Sequence, residues 1–239
     1  MSVNGVAPTA RPMYHSLMSR VTADLLRQFR LDIGGMGNMF DCDLLVASLL
    51  KWGHVLSGVT WIGMLYFFNF INGPLTGTLD GESKKKVVPQ LMYRCLFWFR
   101  WGAMLTFLTG LALFYWNYMH MGMLKDPDEG VSDRAMHIMI GMTVAITMWF
   151  NVWFIIWPAQ QKILPAVAQG EAPPAGLPRR AFLASRYNTY ASGPMLMMMI
   201  MGQEYGAFSG PVCALQVVVG LVVMHCCILA GPKVGKPNL

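Results

Sequence analysis

Two stretches of the chain, KWGHVLSGVT (51–60) and RAMHIMIGMT (134–143), repeat one order of residue types. A cation comes first, Lys51 or Arg134, and histidine follows three residues on, His54 or His137. Glycine stands four residues later, Gly58 or Gly141, and threonine two beyond that. On a helix, positions three and four apart share a face. Each stretch therefore presents a cation, an imidazole and a place without a side chain in one column. A neutral imidazole nitrogen is a good ligand for iron. Two such columns at one depth could hold a haem b. His54 and His137 would be its axial ligands, and Gly58 and Gly141 would leave room for the flat porphyrin. Lys51 and Arg134 would meet its propionates.

The elements that must place these columns are apolar helices. Of the 239 residues, 55% are hydrophobic and only 13% charged, against roughly a quarter charged in a soluble domain. Apolar runs near the length that crosses a bilayer, about 20 residues, recur at about 52–72, 101–119, 135–157, 187–203 and 209–230. The expected fold is an all-α integral membrane protein, a bundle of about five transmembrane helices over 44–232. A polar segment, 1–43, precedes it and a short basic tail, 233–239, follows. Within the first segment, MYHSLMSRVTADLLRQF (13–29) places Leu17, Val21, Leu25 and Phe29 every fourth residue, the pattern of an amphipathic surface helix. The fourth run is the shortest and contains Gly193-Pro194.

The net charge of +6 encodes topology in such a chain rather than affinity for nucleic acid. Lys84, Lys85, Lys86, Arg94 and Arg100 lie between the first two runs. Lys162, Arg179, Arg180 and Arg186 lie between the third and fourth, and Lys233 and Lys236 in the tail. The opposite side carries the acidic loop KDPDEGVSDR (125–134). Five crossings with this asymmetry put the N-terminus outside and the C-terminus in the cytoplasm. The first and third spans then run parallel. His54 and His137 are each the third residue of their run, close to the outer face.

Plainer readings fit the same residues. Small residues line helix contacts in membranes, and Gly102, Thr106 and Gly110 form such a stripe. A histidine near the boundary can simply bond a neighbouring helix. His120, in YMHMGM (118–123), is a weaker candidate for the same layer, and His225, in MHCC, reads as packed or hydrogen-bonded. Met119, Met121, Met123 and the run PMLMMMIM (194–201) are soft donors that suit copper(I), although methionine also packs freely. The five cysteines form no CxxC or CxxCH, which argues against a cysteine zinc site and a covalently attached c-type haem. Asn151 reads as an amide bonding across helices, and Asn188 and Thr189 as caps of the fourth span.

Four segments in order, HVLSGVTWIGMLYFFNFIN (54–72), RWGAMLTFLTGLALFY (100–115), NVWFIIWPAQQKIL (151–164) and ASRYNTYASGPMLMMM (184–199), carry a resemblance. They resemble the N-terminal membrane domain of the bacterial membrane-bound urate oxidase (urate hydroxylase) family, over about residues 44 to 230. The stretch around His54 is also similar, more distantly, to small haem-binding membrane proteins of the protoporphyrinogen oxidase type. The urate oxidase resemblance implies a helical domain of the bacterial inner membrane working with a cytochrome c, which in full-length members follows on the same chain. No CxxCH is present here, so the expected partners are the bilayer, other membrane subunits and a separate c-type cytochrome on the outer side. The leading expectation is a haem-b electron-transfer subunit of a bacterial oxidoreductase or respiratory complex. A structural subunit, a urate-oxidising enzyme and a copper(I)-handling protein are the alternatives.

Overall fold

The structure, a computed structural model, describes residues 22–27, 41–126, 130–204 and 208–235, excepting the side chains of residues 126 and 202–204. The chain divides into two units, residues 1–48 and 49–239. In the first, residues 22–27 are helical, with Leu25 and Leu26 exposed. The remainder of the expected amphipathic helix, 13–29, lies outside the described residues.

Five long helices follow: α1 (Cys42–Thr78), α2 (Gly81–His120), α3 (Asp133–Gln169), α4 (Leu177–Glu204) and α5 (Gly210–Ala230). Four of them, α1, α2, α3 and α5, are long and apolar enough to cross a membrane. The fifth, α4, has the length, at 28 residues, but carries Arg179, Arg180 and Arg186 and a polar seam. The protein is all-α and built for a bilayer. A two-residue antiparallel ladder, Lys125–Asp126 with Gly130–Val131, ties the connection between α2 and α3.

The helices outrun their apolar segments, which corrects the expected boundaries. The cationic stretch before the second run is helix, because α2 starts at Gly81 with Asp80 accepting from the Ser83 N–H as N-cap. Pro89 falls inside it. Likewise α3 continues through Trp157-Pro158 to Gln169, and α4 begins at Leu177 rather than near 187. Only the residues from Gly170 to Gly176 lie outside helix between α3 and α4. Hydropathy marks the part of a helix that suits hydrocarbon and misses its polar extensions.

Inside, Trp61 and Leu65 of α1, Phe99 of α2 and Met148 and Val152 of α3 belong to one buried cluster. The small stripe of α2 seats α1. A Cβ on Gly102 would lie 3.1 Å from the Trp61 nitrogen, and Thr106 Cγ2 is 3.9 Å from a Cβ on Gly58. On α5 the buried positions Gln216, Gly220 and Met224 recur every fourth residue, while Leu215, Val218 and Val222 face outward. That pattern, small and polar within and branched aliphatic without, is what lipid contact selects.

One cation is held by aromatic faces. Arg100 Cζ lies 3.9 Å from the ring centre of Trp157 and 5.2 Å from that of Trp153. A part-buried guanidinium on tryptophan is worth about 1–2 kcal/mol, and lysine stacks less well. Arg100→Gln is expected to lower stability in detergent by about 1–2 kcal/mol, and Arg100→Lys by less, read as thermal unfolding through tryptophan emission. Unchanged unfolding of Arg100→Gln would make the stack incidental.

Candidate functional site

His54 lies in the contact between α1 and α2. Its Nδ1 is 3.2 Å from Thr109 Oγ1, and a Cβ on Gly110 would come within 3.0 Å of its Cε1. Thr109 already donates its hydroxyl proton to the Leu105 carbonyl at 2.6 Å, so toward the imidazole it accepts. Nδ1 therefore carries the proton, and the Nε2 lone pair is left for another partner. The third member of the small stripe, Gly110, is thus the surface against which the ring lies.

His137 sits elsewhere. It is 0% exposed, and its Nδ1 is 3.0 Å from the Asp133 carbonyl, one turn back on α3. A carbonyl only accepts, so here too Nδ1–H donates and Nε2 is bare. That Nε2 is buried without a partner. The edge of the Phe208 ring meets the imidazole at 5.0 Å between centroids, and Phe208 N–H donates to Asp133 Oδ2 at 2.8 Å. The chain entering α5 is pinned in this way onto the start of α3.

The repeat brings its residues to different neighbours. His54 and Gly58 face α2, whereas a Cβ on Gly141 would meet Met198 and Met199 of α4 at 3.2 and 3.3 Å. Lys51 is exposed, and Arg134 lies near Tyr118 of α2. Because α1 begins at Cys42, His54 is about three turns into its helix, while His137 is in the second turn of α3. The two imidazoles share a tautomer that suits a metal ligand, since ligating histidines usually donate the other ring N–H to a carbonyl or similar acceptor. The orphaned Nε2 of His137 fits a haem iron, and the methionines against Gly141 occupy the place a porphyrin edge would need.

Of the weaker candidates, His120 is exposed with its ring 4.7 Å from that of Trp116, and Met119, Met121 and Met123 are exposed as well. Among the described residues no three His, Cys, Asp or Glu side chains gather as a metal site. His225 Nδ1 is 2.8 Å from the Tyr190 hydroxyl, a hydrogen-bonded histidine as its sequence context suggests.

A second cluster follows from backbone geometry. Three helices each contain a six-residue π segment, Phe67–Asn72 in α1, Tyr115–His120 in α2 and Asn151–Ile156 in α3, and each segment carries asparagine. A π turn offsets the hydrogen-bond ladder, and in hydrocarbon the carbonyls it releases need donors. Asn69 Nδ2 donates to the Leu65 carbonyl at 3.0 Å and to Ser185 Oγ at 2.9 Å. Asn188 Nδ2 donates to the Met148 carbonyl at 2.9 Å, while its Oδ1 accepts from Asn151 Nδ2 at 2.9 Å. Ser192 accepts from the Tyr66 hydroxyl at 3.0 Å. A fully buried seam of α4, Asn188, Thr189 and Ser192, thus joins α1 and α3.

Residues 126–230 match the family described as urate oxidase N-terminal. The matched stretch runs from the acidic loop to the end of α5, so it takes in His137, Gly141, Asn151 and the whole α4 seam, and the resemblance noted from sequence is shown over that part of the chain. The His54 column and the stripe of α2 lie outside the urate oxidase N-terminal match. No curated protein and no solved structure matches the chain. Asn69, Ser185, Ser192 and Gln216 stand outside the candidate sites that the sequence presents. The signal for Gln216, 2% exposed, was that it is the one amide in an otherwise apolar helix. The α4 seam is hidden in the sequence because Asn188 and Thr189 read as caps at a helix start, whereas they lie in the fourth turn of α4.

Proposed function

We propose that this chain is a haem-b-binding, membrane-embedded electron-transfer subunit of an oxidoreductase, with His54 and His137 as the residues that would hold the iron. The observation that carries the reading is the buried, unpartnered Nε2 of His137, beside the neighbour that each Nδ1 has. Each imidazole gives its Nδ1 proton to a neighbour and presents Nε2, and in His137 that nitrogen is wholly buried and unpartnered. A buried polar atom without a partner calls for an explanation, and a ligated iron supplies one. The haem would provide one-electron reduction and reoxidation. The chain would supply ligand nitrogens, a low dielectric, and Lys51 and Arg134 as cations for propionates. The urate oxidase N-terminal match supports an oxidoreductase setting.

In this proposal α4 completes an odd number of crossings, with the N-terminus outside and the C-terminus in the cytoplasm of a bacterial inner membrane. The acidic loop 125–134 then faces the outer compartment, where a basic c-type cytochrome would dock. The packing of Met198 and Met199 on Gly141 favours a second reading, a structural membrane subunit in which Gly141 serves helix contact alone.

A reduced-minus-oxidised absorption spectrum of the detergent-purified chain separates the two. A b-type α band is expected in the wild type, lost in His54→Ala and in His137→Ala and partly restored to either by free imidazole. A well-folded wild type without a band ends the haem reading and leaves the structural one.

A further inference from the structure

The seam between α3 and α4 opens, at the end where α4 begins, into a groove of about 760 Å³. Its walls include Ile146 and Phe150 of α3 and Leu183 and Tyr187 of α4, all exposed. Arg179 and Arg180, in the first turn of α4, line the same groove and are exposed. No acidic residue stands in that turn, and neither arginine has an ion-pair partner among the described residues.

In a helix of a membrane bundle, an exposed apolar wall faces hydrocarbon, and an arginine at its end faces the headgroup layer. The groove therefore combines a hydrocarbon-lined channel with two guanidinium groups at one end. A soluble anion would use the arginines and none of the apolar length. A neutral amphiphile would use the length and leave the charges idle. An amphiphile with a phosphate head and hydrocarbon tail uses both, and guanidinium pairs with phosphate in a bidentate fork. Basic pockets between transmembrane helices are of the kind that bind anionic headgroups. We infer that this groove is a binding site for an anionic phospholipid, its phosphate held by Arg179 and Arg180 and an acyl chain lying along Phe150 and Leu183.

Native mass spectrometry of the full chain in detergent, titrated with phosphatidylglycerol or with phosphatidylcholine of the same chains, tests it. One phosphatidylglycerol is expected to bind about 30-fold more tightly than phosphatidylcholine, the preference two cations near an anionic head confer. Arg179→Gln/Arg180→Gln should bring the two lipids to near parity, while Lys84→Gln/Lys86→Gln, which removes as many cations from residues that do not line the groove, should keep the preference. Leu183→Trp fills the channel without touching charge and should weaken both lipids. Equal binding of the two lipids to the wild type overturns the inference, as does a preference that survives the double arginine variant. Competition by glycerol phosphate as strong as by the lipid would make the occupant a soluble phosphate and overturn it too.

Discussion

Gly220→Ala is expected to detach α5 from α4. A Cβ at Gly220 would lie 2.5 Å from the Pro194 nitrogen and 2.6 Å from the Gly193 carbonyl carbon, and one at Gly193 would collide with the Gly220 oxygen. These are backbone atoms, so no side chain can swing aside, and the two helices must separate along their whole crossing. Overpacking in a well-filled interior costs roughly 1–3 kcal/mol, occasionally more, and the backbone clash places this site at the upper end. Close approach at small residues is also what holds helices together in lipid, where burial of apolar surface gives no drive to associate. Gly63→Ala is the matched control, since a Cβ there meets nothing within 4 Å. In detergent, Gly220→Ala and Gly193→Ala should each unfold well below the wild type and lose the Tyr190–His225 contact between α4 and α5. Gly63→Ala should unfold with the wild type. Equal stability of all three would mean that the α4–α5 crossing is looser than its glycines indicate.

The contrast between Gly220 and Gly63 shows where sequence sufficed and where it did not. The apolar runs mark an all-α membrane protein, because hydrocarbon admits only helices and closed barrels, and barrel strands are about 10 residues long and alternate in polarity. The stripe Gly102, Thr106 and Gly110 announces a helix contact, and α1 fills it. Asn151 reads correctly as an amide spanning helices. What no hydropathy profile contains is which helix a given face meets. His54 and His137 sit in matching local sequences, yet one ring lies on α2 and the other beside Phe208. That choice is made by long-range packing of faces that look alike in one dimension. The π segments were also illegible, because Phe67–Asn72 differs from ordinary helix only in how its ladder is offset.

Asn188→Ala is the second substitution expected to have a large effect, and its effect should be non-additive. The side chain is 0% exposed and bridges two helices, donating to the Met148 carbonyl beside the π segment of α3 and accepting from Asn151. Interhelical hydrogen bonds in membranes average only about 0.6 kcal/mol. Removing Asn188 does more than delete such a bond. It takes one donor from the Met148 carbonyl, which keeps the Asn151 N–H, and leaves the part-buried Asn151 amide without its acceptor, a group whose loss of partner costs about 1–3 kcal/mol, and it opens space within the buried seam of Thr189 and Ser192. A loss of about 2–3 kcal/mol is therefore expected. Asn151→Ala should cost less, because it leaves Asn188 bonded to Met148. Once Asn188 is alanine, the Asn151 amide has already lost its acceptor, so adding Asn151→Ala should cost little more. The double-mutant cycle in detergent is expected to give a coupling of about 1 kcal/mol, against a few tenths for independent sites. Additive losses would mean that the two amides act separately. Coupled losses would make the α4 seam the element that holds the π-distorted stretch of α3 in place. The seam lies away from the α1–α2 contact, so Asn188→Ala should leave His54 and its Thr109 contact unchanged.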